Sequence, residues 1–147
     1  MTNATSAPAK TGLMQLAPYI FFYGRCEEAL EFYKAALDGT YELQRNGDSP
    51  MGHSVPEAFQ NKVMHATFTA PGVSFMASDG RGPQEIDPEA GNISLALTVN
   101  DRAKGEQVFA ALSDGGKVKV PLDDAPWGGR FGIFDDRFGL EWMMTSP

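Results

Sequence analysis

The sequence predicts an α+β fold made of two tandem βαβββ modules. Two strand-like stretches, at 13–23 and 92–99, each lead into an amphipathic helical stretch. Both helical stretches close on Asp-Gly, at Asp38-Gly39 and Asp114-Gly115. The two features repeat at the same interval of 76 residues, from 18 to 94 and from 38 to 114. Equal spacing of unlike sequences is the mark of a structural repeat.

Taken in order, 13–23 is dense in aromatic and β-branched residues and stops at Gly24. Alternation puts Tyr19, Phe21 and Tyr23 on one face and Pro18, Ile20 and Phe22 on the other, so both faces should be covered. Cys26 to Leu37 spaces Cys26, Ala29, Leu30, Tyr33, Ala36 and Leu37 at three- and four-residue steps, with Glu27, Glu28, Glu31 and Lys34 turned outward. Glu27 and Glu28 suit the positive end of the helix dipole, and Gly39 suits a left-handed cap. A strand at 40–44 precedes a long loop at 45–60, of the length often used for lids or binding loops. Strands at 62–69 and 73–78 form a hairpin across Ala70-Pro71-Gly72.

The second module opens with 92–99, where Leu95, Leu97 and Val99 oppose Ser94, Ala96 and Thr98. Asn100 or Asp101 caps a helix that runs to about Ser113 and buries Val108, Phe109, Ala111 and Leu112. Gly115-Gly116 ends it, and 117–121 is a strand. The stretch 126–144 is a hairpin of 130–134 and 140–144. Asp135 or Asp136 would bond its own backbone at the turn, and Gly139 would supply a positive φ. The expected plan is a flexible tail at 1–12 and one domain at 13–147, made of modules 13–79 and 91–145 joined by a linker at 80–90.

A chain of 147 residues can bury about two thirds of its unfolded surface, so it needs no disulfide, and its one cysteine, Cys26, can form none internally. A reducing, cytoplasmic setting is the expectation. The net charge of −7 argues against nucleic acid or an anionic membrane as partner. Residues 1–10 lack the apolar segment of a signal peptide, and the longest apolar run, 19–23, is far too short to span a bilayer.

Five stretches carry a resemblance. They are Pro18-Tyr-Ile-Phe-Phe-Tyr-Gly24, Glu28-Ala-Leu-Glu-Phe-Tyr-Lys34, Val63-Met-His-Ala66, Phe75-Met-Ala-Ser-Asp79, and the hairpin from Trp127-Gly-Gly-Arg-Phe-Gly132 to Phe138-Gly-Leu-Glu-Trp-Met143. Together, over roughly 13–145, the chain resembles the vicinal oxygen chelate superfamily of glyoxalase I, extradiol dioxygenases and bleomycin-resistance proteins. It is most similar to the PhnB-like branch. The resemblance implies curved mixed sheets around an open cleft, helices on the outer faces, and a homodimer. In metal-dependent relatives two His and two Glu, one on each of four cleft-facing strands, hold the ion. Carried over by motif, those positions are Pro18, Met76, Ser94 and Met143. Proline has no side-chain donor, serine is neutral, and thioethers are too soft for a hard or borderline divalent ion. No metal and no cofactor are therefore expected.

The candidates for chemistry are few. His65 is a possible general acid–base group, against the plainer reading of a histidine bonded to the cleft wall or at the surface; His53 lies in the long loop. Arg130 and Glu141, on opposed hairpin strands, could pair across the sheet, or Arg130 could hold a carboxylate or phosphonate. Trp142 reads as core, whereas Trp127, beside Pro126 and two glycines, could wall a pocket or an interface. Cys26, beside Arg25 at a helix start but on the apolar stripe, reads as packed. No glycine pattern matches a dinucleotide or phosphate loop.

These residues predict a metal-free small-molecule-binding protein, with Trp127, Arg130, Glu141, Met76, Met143 and Ser94 near the ligand, and Ile20 and Phe22 beside Met76 and Met143 in the cleft wall. Two other readings stand beside it. One is a divalent-metal lyase or dioxygenase with non-standard ligands; the other is a homodimeric interaction module.

Overall fold

The computed structural model describes residues 14–49, 56–80 and 91–147. The chain divides into two compact units, Met1–Glu85 and Ile86–Pro147. Each holds one helix and a four-stranded mixed sheet. No helix among the described residues is long and apolar enough to cross a membrane.

In the first unit, β1 (Tyr19–Phe21), α1 (Cys26–Leu37), β2 (Thr40–Arg45), β3 (Val63–Ala70) and β4 (Val73–Ser78) form a sheet of order β1-β4-β3-β2. The β1–β4 pair is parallel and the others are antiparallel, so a single crossover through α1 covers one sheet face. The apolar stripe of α1 delivers Cys26, Ala29, Leu30 and Tyr33 to that face, all fully buried. Tyr33 stands edge-on to Phe68 and Phe75, whose rings stack 4.9 Å apart, and Phe22 closes the cluster at 6.1 Å from Tyr33.

That cluster decides which face of β1 is which, and it reverses one expectation. Ile20 is the partner of the buried Ala77, and Phe22 packs on Tyr33, so both face the helix. Tyr19 and Phe21 face the other way and remain 41% and 44% exposed, so this face is not covered as the sequence suggested. Hydropathy could not set the direction because both sets of residues are apolar. The strand is also far shorter than 13–23; Leu13 lies outside the described residues.

The stop of α1 differs in detail. Asp38, not Gly39, takes the left-handed conformation, at φ 56° and ψ 48°, which Asp tolerates better than most residues. Gly39 is needed for room instead: a Cβ there would lie 2.4 Å from the Phe68 ring and 2.8 Å from the Thr69 carbonyl. The loop expected over 45–60 begins with Arg45 still in β2 and carries short 3-10 turns at Asn46–Asp48 and Glu57–Phe59. The middle of that loop, with His53, lies outside the described residues.

In the second unit, β5 (Leu95–Thr98), α2 (Arg102–Ser113), β6 (Lys117–Asp124), β7 (Arg130–Asp135) and β8 (Glu141–Ser146) repeat the plan, in the order β5-β8-β7-β6. Asp101 caps α2 by accepting from the Lys104 amide at 2.8 Å. Val108, Phe109 and Leu112 meet Phe134, Trp142 and Met144 in the core, and Phe109 stands edge-on to Phe134 at 4.9 Å. β6 runs past Pro121 to Asp124, beyond the expected end. It is an edge strand, where a missing N–H costs no ladder bond on the outer side. The hairpin turn forms as expected: Asp136 accepts from the Phe138 and Leu140 amides, and Gly139 takes φ 92°. Asp136 also takes the Trp142 indole N–H at 2.9 Å, which gives that buried ring its polar partner.

Candidate functional site

Each sheet has one face packed on its helix and one helix-free face. The helix-free faces hold most of the candidate residues.

On the first sheet, register places Tyr19, Met76, Thr67 and Glu42 in one row. Phe21 lies in the next row with Ser78, and His65 with Gln44. Tyr19 ties the rows together: its hydroxyl lies 3.1 Å from His65 Nδ1, and its ring is 5.6 Å from the imidazole and 5.3 Å from Phe21. The Phe21 ring continues the row to Tyr23 at 6.0 Å. The result is an exposed aromatic strip carrying one hydroxyl–imidazole pair, with a thioether alongside. His65 thus occupies a sheet face, with one ring nitrogen already engaged by Tyr19.

On the second sheet, β8 alternates. Trp142 and Met144 are buried against α2, while Glu141, Met143 and Thr145 face away from it. Met143 lies between Ala96 and Ile133. Glu141 is the partner of Asp135 across β7–β8, and a cation from β6 joins them: Lys119 Nζ lies 2.8 Å from Glu141 and 3.0 Å from Asp135. Ser94 donates to the other Glu141 oxygen. The Lys119 bond first, and the Ser94 bond second, hold the Glu141 carboxyl below the usual glutamate range. The same two carboxylates push the Lys119 ammonium up. Glu141 and Lys119 thus hold each other in their charged forms.

Arg130 does not join this face. It pairs in register with Ser146, not with Glu141, and its side chain lies on the α2 side. There it bonds Glu106 at 2.8 Å and the Leu122 carbonyl at 2.9 Å. The expected Arg130–Glu141 pair is therefore replaced by Arg130–Glu106 and Lys119–Glu141. Strand parity is the reason: residues 130 and 141 fall on opposite faces. Trp127 stands 70% exposed in the turn before β7 and touches Phe131 edge-on at 5.6 Å.

The sequence reading missed Lys119, Asp135 and Asp79. Lys119 sits in the alternating run Lys117-Val-Lys-Val120, which reads as an ordinary half-exposed strand and gives no signal of its partners. Asp79 is almost wholly buried, and its carboxyl oxygens accept from the Gly24, Cys26 and Val63 amides at 2.7–2.8 Å. It caps α1 from the far end of β4, where Arg25 offers no side-chain cap. Beside it a cavity of about 310 Å³ is lined by Gly24, Glu27, Arg45, Asn61, Lys62, Val63 and Asp79. Its charges are already paired. Arg45 grips Glu27 at 2.9 and 3.0 Å, and Lys62 donates to the Gly24 carbonyl.

Cys26 is fully buried, and that burial, with Asp79 next, pushes its thiol far above the usual range. A thiol reagent should leave it unmodified for hours in the native protein and label it at once in guanidinium. Rapid native labelling would contradict this packing.

The fit to a divalent ion is poor. In the first sheet the row of Met76 contains Tyr19, not Pro18, as its β1 member. In the second, Met143 offers a thioether, and the Ser94 hydroxyl is spent on Glu141. Glu141, on the face of Met143, is already held by an ammonium and a hydroxyl, and Asp135 shares that ammonium. No cluster of three His, Cys, Asp or Glu residues among the described residues could hold a metal.

A family model described as 3-demethylubiquinone-9 3-methyltransferase matches residues 14–145. A solved PhnB protein from Bacillus cereus is 26% identical and covers 91% of this chain and 100% of its own, with a TM-score of 0.74. A glyoxalase/bleomycin resistance protein/dioxygenase superfamily member from Sphaerobacter thermophilus shares the fold, with a TM-score of 0.51 at 18% identity. The chain belongs to the PhnB-like family that the family model describes. Protein PA1353 from Pseudomonas aeruginosa is 37% identical and covers 91% of this chain and 98% of its own, with a TM-score of 0.78. For this PhnB-like chain, membership confirms the α+β fold of two βαβββ modules and leaves the ligand open.

Proposed function

We propose that this PhnB-like chain is a metal-free small-molecule-binding protein, and that an aromatic or flat apolar ligand seats on the helix-free face of its first sheet. The observation that carries the reading is the row Tyr19–Phe21, two large aromatic rings about two fifths exposed beside Met76 and the Tyr19–His65 pair. Aromatic rings left open on a sheet face represent unused apolar area, and a few convergent polar groups among them give a ligand its orientation.

The family model's name mentions a methyltransferase, but neither strand-to-helix junction is built like a nucleotide-type cofactor loop. The first is Phe22-Tyr-Gly-Arg25, and its Gly24 and Cys26 amides are taken by Asp79. The second is Val99-Asn-Asp101, which holds no glycine. The metal-dependent lyase or dioxygenase reading is disfavoured by the donor chemistry of Met76, Ser94 and Met143.

The test is a titration of chelator-treated, isotope-labelled protein with 2-naphthol, followed by backbone NMR. Saturable shifts at Tyr19, Phe21, His65 and Met76 are expected, with affinity reduced roughly tenfold in Phe21→Ala. Absence of saturable shifts there would sink the proposal. If two copies cover this row instead, light scattering will give twice the monomer mass and 2-naphthol will leave those residues unmoved.

A further inference from the structure

The ionic cluster on the second sheet is unexplained by packing. Lys119, Asp135, Glu141 and Ser94 share a helix-free face with Met143, Ile133, Ala96 and Val120, and the Thr98–Thr145 pair lies further along it. Placing an ammonium and two carboxylates beside such residues costs desolvation that an apolar set would avoid. The Glu141 end of the cluster stands two residues along β8 from Met143, about 7 Å.

We infer that Lys119, fixed by Asp135 and Glu141, is the anchor for a neutral polar group of a ligand on this face: its ammonium donates to a carbonyl oxygen while Glu141 accepts from an adjacent N–H or O–H.

The hydrogen-bond inventory supports this. An ammonium has three donors: Glu141 takes one in a hydrogen bond at 2.8 Å, while Asp135 is an ion-pair partner at 3.0 Å whose near oxygen accepts no hydrogen bond. About a quarter of the Lys119 side chain and a third of that of Glu141 remain open to solvent, so a remaining donor and a carboxylate lone pair can be reached. The sign of the cluster sets the ligand class. One cation with two anions leaves a local charge of −1, within a chain of net charge −7, so a carboxylate or phosphonate is repelled. Arg130, the cation that could have held such an anion, is occupied by Glu106 on the other face. A primary amide or an α-hydroxyketone presents acceptor and donor side by side and is neutral. A fixed ammonium can thereby hold a ligand oxygen without a metal. This extends the metal-free reading to the second module and rests on it.

Benzamide and benzoate share a ring and differ in this one respect, so they are the probes. Calorimetry and backbone NMR on the chelator-treated full chain should show benzamide shifting Ser94, Lys119 and Glu141, with benzoate at least about tenfold weaker. Lys119→Met should weaken benzamide by about tenfold, and Glu141→Gln should weaken it similarly while narrowing the gap to benzoate. Thermal melts identify any variant that fails to fold, and the wild-type preference for amide over carboxylate decides the matter without a variant. Equal or tighter binding of benzoate overturns the inference, as does unchanged benzamide affinity in folded Lys119→Met, or no binding of either probe. Because 2-naphthol reports on the first sheet, a result in which it binds and benzamide does not removes the Lys119 anchor and leaves the proposed function standing.

Discussion

Asp79→Ala should be among the most destabilising single substitutions in this protein, lowering unfolding free energy by about 3–5 kcal/mol. The side chain is 1% exposed, and three backbone amides donate to it: Gly24 and Cys26 at the entry to α1, and Val63 at the start of β3. Removing it strands three donors in the interior. Each buried unsatisfied group costs about 1–3 kcal/mol, and the sum is less than additive because water enters part of the space. α1 also loses its only described N-terminal side-chain acceptor, since Arg25 makes no capping bond. Against a typical total of about 5–15 kcal/mol, a loss of this size lowers the melting midpoint by roughly 10 °C. Urea unfolding will measure it. A change below about 1 kcal/mol would mean that the amides find other partners.

Gly116→Ala should be comparably damaging, for a steric reason. A Cβ at this position would lie 2.0 Å from the Asp135 carbonyl oxygen and 2.8–2.9 Å from backbone atoms of Asp136. All three obstacles are backbone, so no rotamer relieves them. The start of β6 must move away from β7, which opens the Lys117–Asp135 pairing and pulls on the Lys119–Asp135 ion pair. A loss of about 3 kcal/mol or more is expected. Benzamide binding should weaken with it, because the carboxylate that fixes the Lys119 ammonium has shifted. A variant as stable as wild type would show that β6 can slide without cost.

The two modules were legible in the sequence because spacing carried them. The helix Cys26–Leu37 falls on the stretch its periodicity indicates, and Asp101 caps α2 as its side chain predicts. What periodicity could not supply was direction. In β1 every residue is apolar, so the choice between Tyr19/Phe21 and Ile20/Phe22 as the helix side waited on Tyr33. Arg130 and Glu141 looked like partners because they sit on facing strands. Sheet register pairs each with something else and sends their side chains to opposite faces. Lys119 was hidden for another reason. Its partners lie 16 and 22 residues away on β7 and β8, and β-bulges in β6 set its position among them. Asp79 shows the same limit, since its three amides come from two separate stretches of chain, 24–26 and the start of β3.

The Met76, Ser94 and Met143 positions connect the sequence reading to the site. Their side chains do not offer what a divalent ion requires, and Glu141, on the face of Met143, is committed to Lys119 and Ser94. Ligand binding in this PhnB-like protein should therefore be indifferent to metal. The most direct measurement is the affinity for 2-naphthol of chelator-stripped protein, compared with the same preparation dialysed against zinc, nickel or manganese. The account predicts dissociation constants equal to within about twofold, a difference of less than about 0.5 kcal/mol. Stoichiometric uptake of one of these ions, with affinity rising about tenfold or more, would contradict it.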